Sequence, residues 1–408
     1  MCRKPEPEAV SRLPLSRVLL ALLLAPAVLL VASLFPGSAR ADDMVADLYT
    51  IGPGNYLYAR HGHSAICVTG GPHPEGRCYD YGVPDVAGQL TMLWGTLRGE
   101  PLFLVVGVDK PTLVFAFSEQ ERKIERQRLP LSGDEARRLY EILEGAVTTK
   151  ERYAYHPSTA NCTTKLRDAL DVATGGKLRD VKPAPVVPRY REILEDGFRG
   201  RVAELAVVAL FSGTTIERPP SPWEHLFLPS RLRDAVTERF GVKPETVYER
   251  QGASIQVSTL GGRLFWIFVG AVLAVLAWRA RGVEEKRRRE LGTAGFILGL
   301  LGLAIWFGAA FFVYPELSHN WALGVLWPTD LALRYLPAKR LRVYLMARLG
   351  VIAPLALLSL TGIVSQPIGA IALLAGLPLG VTLLALRAPA PVPATTTPSP
   401  PAKSGESA

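Results

Sequence analysis

The sequence predicts an α+β exported domain over residues 42–262, followed over residues 263–387 by an all-α bundle of about five transmembrane helices. Three observations predict it. The N-terminus is built like an export signal, the last third holds several long apolar runs, and the stretch between them reads as an ordinary soluble domain long enough to bury a core.

The export signal comes first. Arg3, Lys4, Arg12 and Arg17 precede an apolar run from Val18 to Phe35, and Ala39-Arg40-Ala41 follows. A basic region, an apolar region and an A-x-A site define a secretory signal over residues 1–41. The apolar run is long for a signal, so an uncleaved anchor is the alternative. Either way Asp42 onward is exported.

In the last third, Gly261–Trp278, Leu291–Tyr314, Tyr344–Val364 and Ile368–Leu386 are each long enough to cross a hydrocarbon core of about 30 Å. A fifth run, Trp321–Leu336, is shorter and interrupted by Pro328, Asp330 and Arg334. Charge decides whether it crosses. The loop Arg279–Glu290 is basic and belongs in the cytoplasm, whereas Pro315–Asn320 carries no Lys or Arg and suits the outside. The next connection holds Arg334, Lys339, Arg340, Arg342 and Arg348, and it reaches the cytoplasm only if Trp321–Leu336 crosses. Five spans are therefore expected, with Asp330 and Arg334 paired on one helical face. The tail over 388–408, rich in Pro, Ala, Ser and Thr, is expected to be disordered and cytoplasmic. The net charge of +9 is explained by these orienting loops and does not argue for nucleic acid.

Four cysteines occur. Cys2 lies in the signal. Cys67 and Cys78 flank a Gly/Pro-rich turn between His63–Val68 and Cys78–Tyr81, which read as hairpin strands with a long loop. Cysteines facing across a hairpin in an oxidising compartment are plausible disulfide partners. That leaves Cys162 alone, either a buried inert residue or a reactive thiol. The segment from Thr159 to Leu170 opens a helix that Gly175 closes, with Thr159 or Asn161 as N-cap. Cys162 then falls in the first turn, where the dipole and free N–H groups favour a thiolate and can hold an oxyanion. Leu166, Ala169 and Ala173 follow at helical spacing, turning that face toward the core.

In Arg60-His61-Gly62-His63-Ser64-Ala65-Ile66-Cys67, alternation puts His63 on one strand face with Ala65 and Cys67. If Cys67 faces Cys78, then Ala65 faces Asp80 and His63 lies diagonal to that carboxylate. A base and its orienting carboxylate follow from the register. Alternation also puts His61 on that face, and H-x-H is a zinc-ligand spacing, but only His73 offers itself as a further ligand. No metal or cofactor is expected. His73, His156, His225 and His319 are assigned no chemistry. Arg60 and Arg98 are possible phosphate contacts.

Gly62-His63-Ser64-Ala65, Tyr79-Asp80-Tyr81-Gly82, Asn161-Cys162-Thr163-Thr164 with Arg167-Asp168, and Pro222-Trp223-Glu224 with Phe227-Leu228-Pro229 occur in that order. Together they resemble the Lnb N-terminal periplasmic domain family, and more broadly the circularly permuted NlpC/P60 papain-like thiol enzymes, in which His precedes Cys. The resemblance implies a permuted papain-like fold with Cys162 as nucleophile, His63 as base and Asp80 as its partner. Asn161, His61, Tyr79 and Tyr81 are auxiliary candidates. It further implies a protein of the bacterial inner membrane, its 42–262 domain in the periplasm, that moves an acyl group from a phospholipid to a lipoprotein amine through a thioester. A periplasmic cysteine peptidase or amidase, and a non-catalytic module binding lipid or a partner, are the alternatives.

Overall fold

The computed structural model describes residues 44–85, 101–184, 186–252, 258–362 and 366–386, with Thr91, Trp94, Gly95, Arg98 and Gly99 between the first two. The expected signal over 1–41 and tail over 388–408 lie outside the described residues.

Strands β1 (Val45–Ile51), β2 (His63–Gly70), β3 (His73–Pro84) and β4 (Leu102–Asp109) are followed by helix α1 (Lys110–Ser118) and β5 (Ile124–Arg128). Helix α2 (Gly133–Thr148), strand β6 (Arg152–Ala154) and helix α3 (Cys162–Ala173) come next. With β7 (Glu245–Tyr248), the strands form one seven-stranded sheet in the order β6-β4-β3-β2-β1-β5-β7, every neighbouring pair antiparallel. The region before the apolar bundle is thus α+β.

β2 sits mid-sheet with both faces covered, which is why Ala65-Ile66-Cys67-Val68 reads as a continuous apolar run. On one face, Leu48, Ile66 and Tyr79 pack against Leu139 of α2, Leu166 and Leu170 of α3, and Leu232 of a later helix. On the other, Ala65, Cys67 and Cys78 pack against Leu113 of α1. The β2–β3 hairpin is tighter than the sequence predicts. Gly70 and Gly71 take φ values of 105° and 57°, so the strands pair up to Gly70 and His73 with only Gly71-Pro72 between them.

Helices α4 (Tyr190–Gly197) and α5 (Val202–Phe211), the single turn α6 (Pro222–His225) and α7 (Pro229–Phe240) complete the region before the apolar bundle. α5 leans away from the sheet. Its Ala206, Ala209 and Leu210 belong to the core of the bundle, and its Ala206 carbonyl accepts a hydrogen bond from Trp266 at 2.9 Å.

In the bundle, α8 (Gly261–Arg279) and α9 (Glu284–Phe311) lead to two single turns, α10 (Pro315–Ser318) and α11 (Ala322–Val325). α12 (Ala338–Leu360) and α13 (Ile368–Ala385) close it. Four of these helices, α8, α9, α12 and α13, are long and apolar enough to cross a membrane. The fifth expected span is no continuous helix. Over Trp321–Leu336 the chain makes α11, breaks at Trp327-Pro328, and continues as a 3₁₀ segment to Tyr335. Pro328 has no N–H to extend the first turn, which explains the break. The segment still runs antiparallel to α9. Leu326 meets Trp306, Leu331 lies against Gly299, and Arg334 reaches Gly292. A Cβ on Gly295, Gly299 or Gly302 would come within 2.7 Å of this segment. The glycines of α9 thus form the track that receives it. The expected Asp330–Arg334 pair does not form. Asp330 instead meets Arg348 of α12 at 2.7 Å, with both side chains fully buried. The 3₁₀ winding removes the helical spacing on which the expectation relied.

Candidate active site

The site lies where β2 begins and α3 begins. Asn161 caps α3: its side chain accepts from the Thr164 N–H at 2.9 Å, and the Thr164 hydroxyl accepts from the Asn161 N–H at 2.8 Å. Asn161 Nδ2 also donates to the carbonyls of Pro157 and Phe227, at 2.8 and 3.1 Å. Cys162 is therefore held as the first helical residue. The buried hydroxyls of Ser64 and Thr163, 3.1 Å apart, stitch β2 to α3 beside it.

Cys67 and Cys78 face each other in the β2–β3 ladder and are disulfide-bonded, which leaves Cys162 the free cysteine among the described residues. Its thiol is partly exposed and lies within hydrogen-bond reach of the His63 imidazole. His63 Nε2 in turn lies 2.9 Å from Asp80 Oδ1. That contact is close but off the axis of the ring N–H. The Gly82 N–H holds the same Asp80 oxygen at 2.6 Å. Gly82 itself cannot carry a side chain here, because a Cβ would fall 2.6 Å from His63 Cε1 and 3.0 Å from Asp80 Oδ1.

Burial alone would push His63 down, but the Asp80 carboxylate and then the Cys162 sulfur outweigh it and raise the imidazole to about 10. Burial likewise opposes ionisation of Cys162, yet the imidazolium and the Ser64 N–H bring the thiol below its ordinary value. Both shifts favour a thiolate–imidazolium pair. His63, Asp80 and Cys162 all lie between residues 35 and 195.

Residues 35–195 match the Lnb N-terminal periplasmic domain. No curated protein and no solved structure matches the chain. The Lnb-type stretch ends before Phe227 and Pro229, yet both line the same cavity as Cys162.

That cavity measures about 470 Å³, within the usual range for a small-molecule site. Its apolar wall includes Phe103, Phe117, Leu194, Phe198 and Phe227, and Tyr314 reaches it from just beyond the end of α9. The chain that follows the Lnb-type stretch is tied to the turn after α9: the Gly213 N–H donates to the Glu316 carbonyl at 2.5 Å, and the Thr214 N–H to that of His319 at 2.7 Å.

The auxiliary candidates divide. Asn161 is the cap and lines the cavity. His61 also lines it, but not from the strand. Gly62 has φ of 95°, strand β2 starts only at His63, and the His61 ring packs on Gly197, where a Cβ would lie 2.5 Å away. The H-x-H alternation is broken before it begins, and among the described residues no group of three or more His, Cys, Asp or Glu is placed to hold a metal. Tyr79 and Tyr81 point to the opposite sheet face and belong to the core, the Tyr79 hydroxyl bonding Glu144 at 2.8 Å. Arg60 donates to the carbonyls of Gly54 and Asn55, holding its own loop, and neither it nor Arg98 lines the cavity. Arg122, which sequence reasoning missed among the many basic residues, does line it.

Proposed function

We propose that this protein is a membrane-bound cysteine acyltransferase that moves a fatty acyl group from a phospholipid to the N-terminal amine of a lipoprotein, by way of a thioester on Cys162. The observation that carries the reading is the wall of the cavity. Cys162, His63 and Asp80 share it with Tyr314 of the apolar bundle, so the thiol opens beside the segments that would meet the lipid. A His on a strand that precedes the Cys helix in the chain also fits a permuted papain-like arrangement, with Asp80 orienting the base.

The steps balance without any cofactor. The Cys162 thiolate attacks the ester carbonyl, a C–S bond forms, and the oxyanion rests near the free N–H groups of the first turn of α3. The ester C–O bond breaks as the His63 imidazolium protonates the departing lysophospholipid oxygen. The lipoprotein amine then attacks the thioester and gives a proton to His63. The C–N bond forms, the C–S bond breaks, and the thiolate returns.

Intact-mass analysis of protein incubated with phospholipid vesicles tests this. A mass gain of one fatty acyl group, absent in Cys162→Ser and discharged by an amine acceptor, is expected. A fully active Cys162→Ala protein would overturn the reading, and a peptidyl adduct would turn it toward a peptidase.

A further inference from the structure

Arg122 takes no part in the proton and acyl steps above, yet it occupies the wall beside them. It sits between α1 and β5 and is 4% exposed. Nε donates to the Gly52 carbonyl at 2.8 Å, and the guanidinium lies over the Phe117 ring, 4.8 Å from its centroid. Nη2 is buried with no partner among the described residues. Burial lowers its pKa to about 10, against the opposing pull of Cys162 and Asp80, so the group remains a cation at neutral pH. A buried guanidinium with an unfilled donor is costly, and an apolar side chain would pack on Phe117 without that cost.

We infer that Arg122 is the anion-holding arm of the active-site cavity and that its ligand is the phosphodiester of the lipid whose ester Cys162 attacks. This rests on the acyltransferase reading. Two points favour a phosphodiester over the reaction's own oxyanion. The oxyanion already has the first-turn N–H groups of α3. A guanidinium fixed along one edge by Gly52 and stacked on Phe117 presents its remaining nitrogens as a rigid fork, which suits paired phosphate oxygens. Asp80 is near enough to be felt electrostatically, but among the described residues it makes no ion pair with Arg122, and its Oδ1 is held by His63 and Gly82.

The test compares acylation of Cys162, read by intact mass, from phosphatidylglycerol vesicles and from the small neutral ester p-nitrophenyl butyrate, in the full-length protein. Arg122→Gln is expected to slow the phospholipid reaction at least about tenfold more than the neutral-ester reaction, the loss of one charge-assisted contact. Arg122→Lys should recover part of that difference, and it stands in should the Gln variant not fold. Inorganic phosphate should slow the phospholipid reaction in the wild type more than in Arg122→Gln. Equal slowing of both esters would overturn the inference and make Arg122 an oxyanion or scaffold residue. If wild-type Cys162 accepts acyl from neither ester, the acyltransferase reading itself fails.

Discussion

The ionisation of Cys162 depends on a partner whose effect outweighs that of burial. Because the thiol is lowered and the His63 imidazole is raised to about 10, the thiolate–imidazolium pair exists above the thiol's depressed pKa and below the raised imidazole pKa. Alkylation of Cys162 by iodoacetamide should accordingly begin at a lower pH than for an ordinary thiol and change again near 10. His63→Ala should raise the onset, since only the Ser64 N–H then opposes burial. An unchanged onset would show that the imidazole does not support the sulfur. Gly82 gives a second check that alters no reacting group. Gly82→Ala puts a Cβ 2.6 Å from His63 Cε1, and the ring must shift. A displacement of this order costs up to about a hundredfold in turnover. The loss should appear in the acylation rate while the far-ultraviolet circular dichroism stays that of the folded protein.

Among the elements, α3 and the β2–β3 hairpin carry the site, and they differ in how well they could be read beforehand. The helix start at Asn161-Cys162 was legible because capping is local: an Asn, a free first turn, and apolar residues at Leu166, Ala169 and Ala173 that are indeed buried. Asn161→Ala removes the cap and the hydrogen bonds to Pro157 and Phe227, a loss of about 2–3 kcal/mol. Thermal unfolding should register it as a clear fall in midpoint, together with weaker thiol reactivity. The facing of Cys67 and Cys78 was legible too, because strand pairing has a period of two and the turn is marked by glycines. The same alternation misled at His61. One glycine in the left-handed region at Gly62 ended the strand, and only the backbone reveals that. Tyr79 and Tyr81 were drawn in by their neighbour Asp80, but successive strand residues face opposite ways.

The whole chain holds together through contacts between parts that read as separate. α5 belongs by sequence to the exported region, yet it packs into the bundle core. The Trp321–Leu336 segment lacks helical continuity, yet it runs antiparallel along α9 from Trp306 to Gly292 and leads into the Lys339–Arg342 cluster. Charge predicts a fifth crossing here, whereas length and hydropathy give four candidate helices. In a Cys162→Ser background, Lys339→Cys should resist a membrane-impermeant maleimide in spheroplasts, and ready labelling would refute the crossing. The passage is pinned by Asp330 and Arg348. Tyr344 donates to Asp330 at 2.7 Å, and Arg348 also donates to the Val325 carbonyl at 2.6 Å. Asp330→Ala would strand a buried guanidinium and cost about 3–5 kcal/mol. In detergent the melting midpoint should fall more for this variant than for the double change of Asp330→Leu with Arg348→Met, which leaves no orphan charge.

What the sequence determined alone was everything with a short range: the export signal as an expectation, the apolar runs, the orienting charges, the capped helix that carries Cys162, and the cysteine register that set His63 near Asp80. Only the tertiary structure decided that Arg122 and Tyr314 share a cavity with the thiol, that His61 leaves the strand, and that Asp330 chooses Arg348 over Arg334. The physical reason is the same throughout. Periodicity, capping and charge bias are properties of neighbouring residues, whereas a cavity wall or a buried ion pair depends on how distant segments pack.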